Sequence, residues 1–419
     1  MLIMSEEIIV VKDGRLFDGT GEPPEEGRAV FVKDSKIAQI GSLNEVEVPK
    51  GAKIIDANGM TVLPGLMDLH VHIFQITGTE NPLDRYLIPP SLSLLYAARH
   101  ARDLLEAGVT TARDLVYPFP DHSGRDMVSL RKAIERGLVK GCRLFVAGVV
   151  TSTASHLDVI RPALLRDMCV TADGVDEVRK QTRTCIAQEV DWIKTTTTGG
   201  MAGSMLNQPG YRNYTIEELD AIVDEAHSMG VRVASHSEGI IGCRSAVEAG
   251  IDTIEHASEL DGELIDEILK KELFVIPTMA PSHYRTDVLG LPSVYLPKKL
   301  SGRSFYEVHL ESQKMAYEAG VKMAMGTDCG FVFPPGKNAY ELELYVKQIG
   351  MSPTEALQTT TRNAAEALGR LNDLGTIEEG KIADLIVVEG NPLKDIRVLQ
   401  HPNNIKVVIK DGRIEVDRR

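Results

Sequence analysis

The chain has 419 residues, of which 43 % are hydrophobic and 25 % charged, and carries a formal net charge of −14. That length allows one large barrel plus a smaller domain, and an acidic chain without a basic stripe is not built to face phosphates, which excludes nucleic acid as a partner. No apolar run reaches the ~18 residues of a membrane span, and Met1 to Val10 lack the positive start and apolar stretch of a signal peptide, so the expectation is a cytoplasmic protein acting on a small molecule, with no membrane partner and with a homo-oligomer compatible.

Residues 8–14 and 29–38 read as short strands joined by Asp-Gly-like turns. From about residue 62 to 330, apolar runs rich in β-branched residues alternate with longer amphipathic stretches, the pattern of repeated βα units. Eight strands are expected, over 61–72, 109–115, 143–151, 190–196, 231–236, 252–256, 274–278 and 321–328. Between them lie helices such as 215–227, with Thr215 and Glu218 as a capping box and Gly230 as a stop. The tripeptide Glu-Ala-Gly ends the helix before Val109, Ile251 and Val321. Residues 383–390 and 405–412 return to short strands, and Val11-Lys-Asp-Gly-Arg15 nearly repeats as Ile409-Lys-Asp-Gly-Arg413, which reads as two hairpins. The expected fold is α/β: a (β/α)8 TIM barrel over 61–369, flanked by a discontinuous β-sandwich domain built from 1–60 and 370–419.

Chemistry-bearing residues sit at the ends of these strands. In Leu63-Pro-Gly-Leu-Met-Asp-Leu-His-Val-His72, strand alternation points His70 and His72 the same way, so both rings can grip one metal ion, or stand as two ordinary polar side chains. Lys194, His236, His256 and Asp328 end four further strands. Singly, the histidines read equally as hydrogen-bonded pocket residues and Asp328 as a helix cap. A lysine ammonium repels a metal cation, so Lys194 is a solvent-seeking lysine, an imine-forming lysine, or a lysine whose charge has been removed by carbon dioxide to give a carbamate. Cys142, Cys169, Cys185, Cys243 and Cys329 are odd in number and scattered, which fits neither a disulfide framework nor a Cys-x-x-Cys zinc site, and Cys329 either lines the pocket or packs.

Taken together, this set resembles the amidohydrolase superfamily, whose binuclear members carry His-x-His after barrel strand 1, a carboxylated Lys after strand 4, single His residues after strands 5 and 6, and Asp after strand 8. The closing Gly375-Thr-Ile-Glu-Glu-Gly-Lys-Ile-Ala-Asp-Leu385 adds to the likeness. The resemblance implies two divalent metal ions, with zinc the default. His70, His72 and Asp328 would hold the more buried ion, His236 and His256 the more exposed one, and carbamylated Lys194 would bridge them. A bridging hydroxide would attack the substrate carbonyl, polarised by the exposed ion, and Asp328 would move the proton as general base and acid.

Within the superfamily the chain looks most like the dipeptidase branch acting on Xaa-Pro and other Xaa-amino-acid bonds, with imidazolonepropionase related. That branch's Thr-Gly-Gly-His-like segment after strand 3 appears as Thr153-Ala-Ser-His156, and its substrate-contacting tyrosine is matched by Tyr214, which makes His156 catalytic and substrate-binding and Tyr214 substrate-binding by resemblance. Each also reads blandly, His156 as a loop histidine and Tyr214 as a packed tyrosine. The loops 117–125, 203–212, 283–298 and 331–337 are expected as pocket walls, where His283, Tyr284 and Arg285 either meet a substrate carboxylate or lie on an exposed loop. The reading is a metal-dependent hydrolase of amide-type C–N bonds in an N-acyl amino acid, dipeptide or small amide, carbamate or urea. Its alternatives are a cyclic-amide hydrolase of imidazolone type and a lyase forming an imine on Lys194.

Overall fold

The structure, a computed structural model, describes residues 8–42, 46–75, 88–116, 124–153, 170–200, 208–291 and 302–419. They fall into two compact units, one from Met1–Asp68, Arg102–Thr111 and Gly336–Arg419, the other from Leu69–Ala101 and Ala112–Pro335. No helix among the described residues is long and apolar enough to cross a membrane.

One sheet draws on both ends of the chain. Its strands are β1 (Ile8–Leu16), β2 (Glu25–Lys33), β3 (Lys36–Ser42), β4 (Lys53–Asp56), β5 (Met60–Pro64), β14 (Leu385–Glu389), β15 (Ile405–Lys410) and β16 (Arg413–Asp417). The order is β16-β15-β14-β5-β1-β2-β3, with β4 also on β1. Ile9, Val30 and Ile37 from one end of this path share a single apolar cluster with Val387, Val407 and Ile409 from the other, so the sheet bends around one core. The two copies of the Lys-Asp-Gly-Arg repeat behave differently. Asp411 and Gly412 make the expected hairpin turn between β15 and β16, whereas Asp13 and Gly14 form a bulge inside β1, where the register shifts. The bulge has a purpose: β1 pairs with β4 through Lys12 and with β5 from Arg15, so the strand changes neighbour at that point.

The second sheet holds β6 (Leu66–Val71), β7 (Val109–Asp114), β8 (Arg143–Val149), β9 (Trp192–Thr196), β10 (Arg232–Ser237), β11 (Thr253–His256), β12 (Phe274–Ile276) and β13 (Lys322–Met323). They follow one another in sequence order, and the pairings from β8 to β13 are parallel, the TIM-barrel-like arrangement. The segment after β13 lies along β6, because Leu69 N–H donates to Met325 O at 2.9 Å and Asp328 N–H to His70 O at 2.7 Å.

Two expected strands need correction. The run 61–72 is not one strand but β5 and β6, which belong to different sheets and are divided at Gly65. A side chain at Gly65 would place its Cβ 2.1 Å from Thr110 Oγ1, so only glycine fits where the chain changes sheet. The run 321–328 pairs as a ladder only at Lys322 and Met323, and Asp328 at its end has a φ of 51°. Helix signals held better. Thr215 and Glu218 cap Ile216–Ser228 reciprocally, and Gly250 closes Ile240–Ala249 in the left-handed region at φ 77°. Residues 283–288, expected as loop, are instead helical within Ala280–His283 and Tyr284–Val288.

Candidate metal centre

The C-terminal ends of β6, β9, β10 and β11 and the turn after β13 bring His70, His72, Lys194, His236, His256 and Asp328 into one neighbourhood. His70 and His72 rings lie 5.2 Å apart between centroids, His70 and His256 4.9 Å, and His236 and His256 4.4 Å. Asp328 Oδ1 stands 3.3 Å from His72 Nε2 and 3.6 Å from His70 Nε2. Two donors bound to one ion at about 2.0–2.2 Å can be no more than roughly 4.4 Å apart, so these separations suit shared coordination. His70, His256 and Asp328 form one group whose ligand atoms lie within 4.8 Å of one another, and His236, Glu238 and His256 form another.

Lys194 is the unusual member. Its side chain is 3 % exposed, and its Nζ has no hydrogen-bond partner among the described residues. Burial brings its pKa down to about 8, against opposing attraction from Glu255, Asp328 and Glu238. At pH 7 about one such amine in ten is neutral, against roughly one in three thousand for an ordinary lysine. An uncompensated buried ammonium is costly, and the surrounding imidazoles and carboxylates are a donor set for cations. The imidazoles and carboxylates therefore fit divalent metal ions.

The supporting residues were not singled out from the sequence. Glu255 Oε2 lies 2.7 Å from His70 Nδ1, which leaves His70 Nε2 facing Asp328. Arg113, fully buried, donates to Glu255 Oε1 at 2.7 Å, to Leu69 O at 2.6 Å and to Thr253 Oγ1 at 3.0 Å, and its guanidinium stacks 4.3 Å from the Trp192 ring. Burial pushes the His70 imidazole well below its usual range, with the Lys194 charge adding to this, so it is neutral as a ligand must be. Burial works to raise the Asp328 carboxyl, but the hydrogen bond from His72 and the His70, His72 and Lys194 charges outweigh it, leaving a net lowering; at 23 % exposure Asp328 also faces the opening. Asp114 accepts from the Ile73 and Val116 N–H groups, and burial lifts its pKa to about 6.

Backbone geometry aims the ligands. Glu255 and His256 are sequence neighbours, which a regular strand would send to opposite faces, yet both reach His70. His256 manages this at φ 70°, followed by Ala257 at 47°, and Thr278 at 54° places its hydroxyl 2.6 Å from His256 Nδ1. Such conformations cost about 1–3 kcal/mol each for non-glycine residues and need support. His309, Gln313 and Ser312, from the helix Phe305–Glu318, supply it by donating to the His256 and Ala257 carbonyls at 2.7–3.0 Å. Burial lowers His309 to about 4, which keeps it neutral.

Other expected residues are placed differently. His156 lies outside the described residues, as does Cys169. Tyr214 is not gathered with the imidazoles: it is buried and its hydroxyl donates to Ala172 O at 3.0 Å, while Ala172 N–H reaches Thr151 O at 2.9 Å, so it braces the chain beside β8. Cys329 is fully buried and packs. His283 pairs with Asp287 at 3.1 Å, and Phe331 stacks edge-on against His72 at 5.0 Å, forming an apolar side of the opening. A sequence signal existed for Glu238, two residues after His236, and for Arg113 and Glu255 as charges inside short apolar strands.

The sequence matches the Amidohydrolase family over residues 61–414. The chain belongs to that family. Ochratoxinase from Aspergillus niger is 30 % identical over 436 aligned positions, covering 97 % of this chain and 86 % of the relative. Imidazolonepropionase from Geobacillus sp. (strain WCH70) is 25 % identical, covering 93 % and 90 %. Among solved structures, a Xaa-Pro dipeptidase with bound methionine in its active site superposes with a TM-score of 0.83 at 31 % identity, covering 97 % of this chain and 99 % of that one. This amidohydrolase is accordingly a hydrolase enzyme with a TIM-barrel-like fold.

Proposed function

We propose that this amidohydrolase cleaves an amide-type C–N bond in a dipeptide or N-acylated amino acid, using two divalent ions, with zinc the default, held by His70, His72, His236, His256, Asp328 and a carbamylated Lys194. The observation that carries this is the buried Lys194 Nζ, set among imidazoles and carboxylates and without a hydrogen-bond partner among the described residues. Its neutral amine adds to carbon dioxide and releases a proton, which replaces a buried positive charge with a two-oxygen donor. When bound, the ions supply Lewis-acid polarisation of a carbonyl and acidify water near neutral pH. Asp328, ionised and partly exposed, accepts a proton from the attacking water and returns it to the leaving nitrogen. Glu255 and Thr278 hold the His70 and His256 rings in fixed tautomers.

Phe331 offers an apolar surface for a substrate side chain, and the likeness to a Xaa-Pro dipeptidase supports the dipeptide class. The imidazolonepropionase relative supports cyclic-amide opening as the second reading. His156 remains a proposed carbonyl donor by resemblance, whereas Tyr214 is better assigned a bracing role. The scaffold in this reading is a closed (β/α)8 barrel ending near 369 with a β-sandwich from 1–60 and 370–419, its first boundary moved to Gly65 because β5 lies in the mixed sheet.

Elemental analysis of metal-replete protein, together with assays on dipeptides, N-acyl amino acids and cyclic amides, tests the proposal. Two metal equivalents and chelator-sensitive hydrolysis are expected. Lys194→Ala should abolish activity and lower metal content, with partial rescue by a short-chain carboxylic acid. Full activity in that variant, or activity indifferent to chelation, would refute the reading.

A further inference from the structure

The alternation that pairs His70 with His72 applies equally after β10, where Glu238 follows His236 by two residues and points to the same side. Glu238 is 6 % exposed, and its Oε1 lies 3.9 Å from His236 Nε2. The donor atoms of His236, Glu238 and His256 are mutually within 4.8 Å, and 3.9 Å falls inside the roughly 4.4 Å that two ligands of one ion can span. The residue is held firmly. Its N–H donates to Thr198 Oγ1 at 3.2 Å, and the following Gly239 is pressed so closely on Pro209 that a Cβ would sit 1.9 Å from the Pro209 carbonyl oxygen.

Charge adds to the geometry. Lys194 is close enough to Glu238 for the carboxylate to favour its ammonium form. Conversion of Lys194 to a carbamate would replace that positive charge with a negative one in the same buried site. A cation on the His236 and His256 side would attract both anions. We infer that Glu238 is a direct carboxylate ligand on that side of the metal centre, making a group of two imidazoles and one carboxylate that accompanies the Lys194 bridge. This rests on the metal-dependent reading above and adds a ligand that the resemblance does not supply.

The test is metal binding rather than turnover. Apoprotein prepared by chelator dialysis is titrated with zinc chloride in bicarbonate buffer, and bound metal is measured by elemental analysis after gel filtration. Wild-type protein should take two equivalents. Glu238→Gln should keep one and bind the second about 100-fold more weakly or worse, the upper end of the loss caused by removing even an outer partner. Glu238→Asp, one methylene shorter, should recover part of that affinity, and serves in place of the glutamine variant if the latter does not fold. Matching thermal midpoints of the apo forms establish that the variants fold. Uptake of both equivalents with wild-type affinity by Glu238→Gln overturns the inference, and if KM alone rises, Glu238 contacts substrate instead. Failure of wild-type protein to take a second equivalent sinks the binuclear reading itself, an outcome distinct from an unaltered variant.

Discussion

The two sheets of this protein share apolar interiors but differ in the charged residues they bury. In the mixed sheet, Ile9, Val11, Val30, Val32, Ile55, Val387 and Ile409 meet in a cluster that is apolar throughout. In the parallel sheet, Arg113, Asp114, Lys194, His236, Glu255 and His256 are all buried within or at the ends of the strands. The first arrangement gains from every contact it makes, because removing apolar surface from water is favourable without geometric precision. The second loses solvation on each group and is tolerable only if charges and hydrogen bonds are matched, which fixes the side chains in place. A scaffold and a reactive site thus differ in how exactly each neighbour must be specified.

The largest effect should come from unmatching a charge. Arg113→Met leaves Glu255 buried without its cation and should cost about 3–5 kcal/mol in denaturant unfolding. The double variant Arg113→Met with Glu255→Met should recover most of that stability, since an apolar pair can replace a buried ion pair. Its metal affinity should nonetheless stay about 10- to 100-fold reduced, because His70 Nδ1 has lost its carboxylate. Recovery of both quantities would make the pair a purely structural device.

Asp328→Asn comes next. It should retain metal yet lose at least about 10²-fold in kcat, or about 2.7 kcal/mol in barrier height, the scale of a missing general base. A near-normal rate would take the proton-transfer role away from Asp328. The smallest effect is expected in the mixed sheet, where Ile409→Val removes one methylene from the apolar cluster. Unfolding should show a loss of about 0.5–1.5 kcal/mol with metal content and kcat unchanged. A change in either of those would break the division between the two cores.

Much of the site was readable before any coordinates, because a histidine or lysine closing a β-branched run is a local pattern. His70, His72, Lys194, His236 and His256 carry that pattern, Asp328 ends a strand likewise, and the structure brings the six near one another. Glu238 obeys the same rule, yet a glutamate after a strand is common and is a weak signal by itself. Arg113 and Glu255 show in the sequence only as charges inside short apolar strands, and nothing local pairs them because they are 142 residues apart. The split of 61–72 at Gly65 was hidden for a similar reason: apolar alternation continues across it, and only the approach of Thr110 shows that two sheets meet the chain there.

By itself the sequence determined which residue types stand at strand ends and which face each takes, since side-chain direction follows from backbone periodicity over a few residues. Tertiary structure decided how those groups are tuned: His70 is oriented by a carboxylate 185 residues away, and His256 is turned toward it by a left-handed backbone that the helix Phe305–Glu318 supports. Such partners are chosen by proximity in the folded chain, and proximity between distant segments is set by packing, which no short stretch of residues encodes.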